Sequence, residues 1–350
     1  MSIAPIDAIP ECAVTTNDVH LKFTDGTKTV SVPAGTTILE AANAAGVRLV
    51  SQCKIGTCGT CVGRVACGEV MMPEGRVYSL RQDEMDAGHR LLCQSHAFAD
   101  SEIELDYPAS MLDEYPVIAT TAKIGSVTWL GETVVELQIK LPKSVRFSFR
   151  AGQYVRMRVP GTDEWRSYSM ASGERDRKKL AFTIRVLPSG AMSDYLRSGA
   201  AVGDQIEIEG PIGGFGLAED AGPTLMIAGG TGLAPMLSML ETLQTARDDH
   251  PIRLVFGCTR GTDLFHLDEL DARRSFMRNL AVRVVVDEPV EVPDVLVGNP
   301  VSVLTPDDVA HPQTSAYLCG PPAMLHAAEQ RLLELGMPAE RIHAEQFLPS

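Results

Sequence analysis

From residue 18 the chain alternates apolar and polar positions in "VHLKF" and again in "TVSV", with Asp25-Gly26 between the two runs. That pattern predicts an antiparallel hairpin. "TTILEAANAAGV" follows with apolar residues at helical spacing and stops at Gly46, which predicts a short helix. A cysteine-rich loop and several short strand-like runs then lead to "SEIELDY". These elements define a first domain over residues 18–106. "YPASMLDEYP", with two prolines, is expected to be a linker over residues 107–117.

Residues 118–213 read as strand after strand: "AKIGSVTWL", "TVVELQIKL", "QYVRMRV", "LAFTIRVL" and "DQIEIEG". Turns rich in Gly, Pro and Asp separate them, which predicts a small antiparallel β-barrel. From residue 222 to 350 the pattern changes period. The strands "TLMIA", "IRLVFGC", "LAVRVVV", "SAYLC" and "IHAEQF" are interleaved with the helices "PMLSMLETLQTA", "LDELDARRSF" and "PAMLHAAEQRLLEL". Alternation of that kind predicts a doubly wound parallel sheet. The whole is therefore multidomain, α+β at the N-terminal end and α/β at the other.

The composition is that of a globular chain long enough for two or three domains: 350 residues, 45% hydrophobic and 22% charged. A net charge of −14 argues against nucleic acid or an anionic membrane as partner. It suits solubility or docking to a basic protein face. Ala221 to Leu240 is uncharged and long enough for a membrane span. Gly229, Gly230, Gly232 and Pro235 interrupt it, so a buried strand, a turn and a helix are expected instead. The first twenty residues show neither a basic region nor an apolar one, and no signal peptide is expected. Four of the eight cysteines fall between 53 and 67, which fits a cysteine-ligated metal in a cytoplasmic protein better than a disulfide framework.

Those cysteines carry the first chemistry. "CKIGTCGTC" sets Cys53, Cys58 and Cys61 at the C-x4-C-x2-C spacing of plant-type [2Fe–2S] proteins. Cys93 in "RLLCQ" is the natural fourth ligand, and Gly56 and Gly59 let the backbone wrap a cluster closely. Structural zinc is the competing occupant, although it usually takes two C-x2-4-C pairs. Cys12 and Cys67 have no partner at a useful spacing.

Two further motifs point to nucleotide cofactors. "EWRSYSMAS" holds Arg166, Tyr168 and Ser169, and "PSGAMSDYL" opens a helix at Gly190, Met192 and Ser193. A helix N-terminus of that kind suits a pyrophosphate. Arg166 and Arg185 can add guanidinium contacts to phosphate. Tyr168 can stack on a flavin ring, and the Ser169 hydroxyl can reach the ring nitrogen that receives hydride. "LMIAGGTGLAP" places Gly230, Thr231 and Gly232 between a strand and a helix, the first part of a dinucleotide fingerprint. "YLCGPPAML" puts Cys319, Gly320 and Pro321 at the carboxyl end of another strand, where ligands bind in such sheets. Cys319 is there either a small core residue or a soft wall against a nicotinamide.

With these motifs in this order, the chain resembles the reductase components of bacterial multicomponent oxygenases. Those join an N-terminal, β-grasp-like, plant-type ferredoxin domain to a ferredoxin–NADP reductase-like module. "IRVLPSGAMSDYLR" and "EQFLPS" are similar to the soluble methane monooxygenase reductases, and "AGQYVRMRVPGT" to the benzoate dioxygenase reductases. The resemblance implies FAD, a [2Fe–2S] cluster and NADH as cofactors. It also implies electron flow in that order (NADH, flavin, cluster) to a separate oxygenase. Ser169 and Cys319 would flank the hydride path, and Glu345 matches a carboxylate that the family brings towards the flavin. In coenzyme choice, Asp263 could accept from a ribose 2′-hydroxyl, whereas Arg260 could meet a 2′-phosphate; the sparse basic character favours NADH. The same electron chain could instead serve a deoxysugar dehydratase.

Overall fold

The computed structural model describes residues 16–51, 54–56, 59–175, 178–218 and 222–346. The chain divides into two compact units, Met1–Asp113 and Glu114–Ser350.

In the first unit β1 (Thr16–Phe23) and β2 (Gly26–Pro33) form the hairpin, with Phe23 paired to Gly26. The turn is thus Thr24-Asp25, one residue before the Asp25-Gly26 signal. Helix α1 (Ile38–Ala44) begins at a reciprocal cap: Thr37 Oγ1 accepts from the Glu40 amide and Glu40 Oε2 accepts from the Thr37 amide. It buries Ile38, Leu39, Ala41 and Ala42. β3 (Val62–Cys67), β4 (Val70–Met71), α2 (Gln82–Asp86), β5 (His89–Leu91), β6 (His96–Ala97), β7 (Ser101–Glu104) and α3 (Ser110–Glu114) complete the unit. The main sheet runs β2-β1-β7-β3-β5, and β1 and β7 are parallel. Val19, Leu21, Leu91 and Ile103 are fully buried in its core. The segment expected as a linker starts inside this unit. Tyr107 is buried edge-on against Phe23, and the Asp25 carboxylate accepts the amides of Ala109 and Ser110.

The second unit holds two layers of structure. β8 (Ile118–Trp129), β9 (Val134–Lys140), β10 (Tyr154–Arg158), β11 (Trp165–Ser169), β12 (Lys179–Arg185) and β13 (Gln205–Ile212) form an antiparallel sheet in the order β11-β10-β13-β8-β9-β12. A bridge between Met170 and Phe182 joins its two edges, so the sheet nearly closes into the expected barrel. Phe147, Phe149, Met157 and Phe182 fill it, and helix α4 (Ala191–Ser198) plugs one end with Met192 and Leu196.

β14 (Thr224–Gly229), β15 (Ile252–Cys258), β16 (Leu280–Val286), β17 (Val295–Val297), β18 (Ser315–Gly320) and β19 (Ile342–Gln346) are all parallel, in the order β17-β16-β15-β14-β18-β19. Helices α5 (Leu233–Ala246), α6 (Leu267–Phe276) and α7 (Pro322–Glu334) cover the faces, and an apolar layer lies on each side of the sheet. The run from Ala221 to Leu240 becomes β14, a glycine turn and the buried start of α5. No helix among the described residues is long and apolar enough to cross a membrane.

Strand order reverses at β14, whose neighbours are β15 on one side and β18 on the other. The crevice at such a reversal is the ligand site of open α/β sheets. Here it is closed to a backbone's width: a Cβ at Gly232 would lie 2.2 Å from the Cys319 carbonyl oxygen. Gly232→Ala must push α5 off β18 and is expected to cost about 1–3 kcal/mol by overpacking. Thermal unfolding of the purified variant, with loss of nucleotide binding, is the check; an unchanged Tm would mean that the turn is slack.

Candidate redox-cofactor sites

In the first unit, strand register brings two cysteines to the same edge of the sheet. β3 and β5 are antiparallel with Val62 opposite Leu91, and the Leu92 amide donates to the Cys61 carbonyl at 2.9 Å. The ladder therefore carries Cys61 and Cys93, just beyond the strand ends, to one edge of the sheet. Both are buried. The loop before Cys61 has Lys54, Gly56 and Gly59 at positive φ, the conformation expected of a chain folded tightly around a small object. Cys53 and Cys58 lie outside the described residues.

Gln94 braces this loop, a role that sequence reasoning missed. Its amide nitrogen donates to the Lys54 carbonyl at 3.0 Å and to the Cys93 carbonyl at 2.8 Å, and its oxygen accepts from Arg76 at 2.9 Å. One buried side chain thus ties the ligand loop to the distant cysteine. The Ser79 amide donates to the Gly56 carbonyl at 3.0 Å, holding a second segment against the same loop. Thiols converging on a tight loop suit a cluster held by thiolates.

In the second unit the flavin motif is β11. Arg166 is held there by Glu164 at 2.5 Å and by the Trp165 carbonyl at 3.0 Å. Tyr168 lies against the barrel core, and burial raises its phenol. Ser169, at the strand end, is buried. Gly190 precedes α4 with φ +138°. Met192 faces the barrel core, and Ser193 Oγ accepts the Leu187 amide at 2.9 Å. These two side chains build the helix start, so a phosphate there would meet the helix amides.

Arg185 ends β12 but belongs spatially to the nucleotide turn. A Cβ on Gly230 would find its guanidinium at 3.9 Å. Gly230, Thr231 and Gly232 form a single tight turn at the carboxyl end of β14. Gly320 and Pro321 continue from β18, and Gly320 packs against Gly229. Asp263 is buried. Its oxygens accept two bonds from Arg260, at 3.0 and 3.1 Å, and one from Thr133 at 3.0 Å. Arg260 holds that carboxylate below the usual range.

The ends of three strands then meet. Cys319 on β18 pairs in register with Glu345 on β19, and Ser169 Oγ lies 3.5 Å from Glu345 Oε2. Cys319 is wholly buried, which raises its thiol well above the ordinary value. Desolvation pushes Glu345 up to about 8, against a smaller opposing pull from the Ser169 hydroxyl. At neutral pH the three groups are a thiol, a hydroxyl and a protonated carboxyl, all uncharged.

The chain matches three families in the order that the fold shows. They are a 2Fe-2S iron-sulfur cluster binding domain over residues 22–97, an oxidoreductase FAD-binding domain over 121–216 and an oxidoreductase NAD-binding domain over 226–330. The first of these favours the cluster over zinc. The toluate 1,2-dioxygenase electron transfer component of Pseudomonas putida is 34% identical over 341 residues, 96% of this chain and 99% of that one. The propane 2-monooxygenase reductase component of Mycolicibacterium smegmatis is 33% identical over 89% of this chain and 91% of its own length. In structure the chain is similar to the Amycolatopsis cytochrome P450 reductase GcoB, with a TM-score of 0.72 and 32% identity over 95% of this chain and 99% of that one. The chain belongs to the family of iron–sulfur flavoprotein reductases that serve as electron transfer components of oxygenase systems. It is an oxidoreductase of FAD, NAD and a [2Fe–2S] cluster.

Glu345 gives a test that needs no turnover. Its folded pKa is raised, so between about pH 4.5 and 8 the native state holds a proton that the unfolded chain has lost. Stability from this group is therefore intact below pH 4.5 and is lost as pH rises towards 8. Glu345→Gln, which stays neutral, is expected to gain in Tm relative to the parent across that window. A Tm difference that does not vary with pH would show that Glu345 is ionised in the fold.

Proposed function

We propose that this chain takes electrons from NADH and delivers them one at a time to a separate terminal oxygenase in the cytoplasm. Relatives named as dioxygenase and monooxygenase components, along nearly their whole lengths, support an oxygenase acceptor over a deoxysugar dehydratase. The observation that carries the catalytic part is the meeting of Ser169, Cys319 and Glu345 at the strand ends. When bound, FAD accepts hydride from NADH and releases electrons singly through the [2Fe–2S] cluster.

The residues of this chain supply binding, orientation and exclusion of water. Cys53, Cys58, Cys61 and Cys93 would hold the cluster. Tyr168 offers a ring face, and Ser169 offers a hydroxyl oriented by Glu345. Arg166, Gly190, Met192 and Ser193 would frame the flavin phosphates, the last two through backbone amides at the start of α4. Gly230, Thr231, Gly232, Gly320 and Pro321 form the floor on which the nicotinamide nucleotide would lie. Cys319 forms its wall. Arg185, at the Gly230 turn, is positioned for the phosphates of that nucleotide more than for those of the flavin.

The Arg260–Asp263 pair supports a preference for NADH. Arg260 is engaged in two bonds to a buried carboxylate and so is neutralised as a receptor for a 2′-phosphate. We expect kcat/KM to be higher with NADH than with NADPH. Arg185→Ala should raise KM for NADH about tenfold, the loss of one charge-assisted contact, with the rate of flavin reduction at saturation largely kept. Equal values for the two coenzymes, or an unchanged KM, would remove these assignments.

The two units allow a division of labour, since each has its own buried core. A protein lacking residues 1–113 is expected to retain NADH oxidation with ferricyanide and to lose nearly all reduction of cytochrome c. Full-rate support of an oxygenase by that truncated protein would show that electrons leave without passing the first unit.

A further inference from the structure

Among the described residues of the first unit, half-buried Ser79 is the one whose side-chain oxygen is buried and left unexplained by the fold. Its Oγ is shut off from solvent and has no hydrogen-bond partner among the described residues. A buried hydroxyl without a partner costs about 1–3 kcal/mol, so such a group calls for a ligand or a reason. Its position supplies one. The Ser79 amide is pinned to the Gly56 carbonyl at 3.0 Å, which fixes the residue over the loop between Cys53 and Cys58. The hydroxyl lies 3.5 Å from where a Cβ of Gly59 would stand, inside the C-x2-C pair of Cys58 and Cys61. Gly59 has φ +74° and no side chain, so the hydroxyl faces the bare backbone of the ligand loop at that residue.

We propose that Ser79 is a positioning residue for the cluster, donating its hydroxyl proton to a sulfur of the [2Fe–2S] centre or of one of its cysteine ligands. The proposal rests on the assignment of Cys53, Cys58, Cys61 and Cys93 as ligands. Electrostatics gives the bond a direction. One-electron reduction adds a negative charge to the cluster and makes its sulfurs better acceptors. A donor in a low-dielectric site therefore favours the reduced form and raises the reduction potential. The neighbouring Gln94 amide, 3.9 Å from Cys93 Sγ, already has two carbonyl acceptors, so it competes weakly for the same sulfurs. The consequence for function is a cluster easier to reduce from the flavin side and less prone to return electrons.

The test uses the full-length holoprotein and reads the cluster itself. Iron, acid-labile sulfide and the electron paramagnetic resonance of the reduced cluster are measured first, for the parent, Ser79→Ala and Ser79→Thr. If the parent carries no [2Fe–2S] cluster, the ligand assignment fails and the proposal with it. With the cluster present, redox titration is expected to show a lower midpoint for Ser79→Ala. The reduced-to-oxidised ratio at a fixed potential should fall about three- to tenfold, tenfold being ~59 mV for one electron. Ser79→Thr, which keeps the hydroxyl, should recover most of the loss. Resonance Raman spectra in D2O give an independent reading: iron–sulfur modes that shift on deuteration in the parent should lose that shift in Ser79→Ala. An intact cluster in Ser79→Ala with the parent's midpoint and the parent's deuterium shift would overturn the proposal. If Ser79→Ala fails to load a cluster, Ser79→Thr and the parent decide between the outcomes: no deuterium-sensitive mode in either overturns the proposal.

Discussion

The close approach of Gly232 to the carbonyl of Cys319 is the constraint on which the second unit depends. It fixes the start of α5 against the end of β18, at the place where strand order reverses. A side chain at 232 would separate the two strand ends. The glycine turn and the Cys-Gly-Pro segment would then no longer share one floor. The register of β18 with β19 in turn sets Glu345 level with Cys319. Short motifs distant from one another in the sequence thus become one surface through backbone packing rather than through side-chain bonds.

Side chains then fasten the barrel to that surface. The Gly173 amide donates to Glu241 on α5 at 3.1 Å, and Ser238 donates to the Ser172 carbonyl at 2.7 Å. Thr133 bonds Asp263, and the Ala218 amide donates to the Tyr317 hydroxyl at 2.8 Å. His266 stands between Glu269 and Glu136, at 3.1 and 3.9 Å. These links lie on different elements, so no single rotation relieves them together. They keep the end of β12, and with it Arg185, over the glycine turn. Asp263 belongs to this fastening: its carboxylate joins the two halves and holds Arg260.

The architecture was legible because its signals are local. Period-two runs and period-3.6 runs located α6 and β16 to the residue, and turn chemistry separated them. β17 was missed because a strand of three residues at a sheet edge is too short to show a period. The cysteine spacing could be read from the sequence alone, since a cluster dictates intervals, and the 2Fe-2S domain match over residues 22–97 agrees with it. Gln94 and Ser79 could not. A glutamine beside a cysteine and a serine in a loop carry no pattern, and their value arises only when the fold brings residues 54, 56 and 59 to them. Arg185 could be placed on its strand from the sequence, but its approach to the Gly230 turn could not, because that depends on how the barrel meets the nucleotide layer.

Charge is distributed to match the chemistry. The groups at the strand ends, Ser169, Cys319 and Glu345, are neutral at pH 7 because burial opposes ionisation of the thiol and the carboxyl alike. The cationic groups Arg166, which is paired with Glu164, and Arg185 stand on the surrounding strands β11 and β12. A fixed negative charge at the strand ends would repel the phosphates of a bound nucleotide. A neutral centre avoids that repulsion. That neutrality explains why a carboxylate can sit at the heart of the site at all. It is tolerated there as a hydrogen-bonding group, because the burial that removes it from water also favours its protonated form.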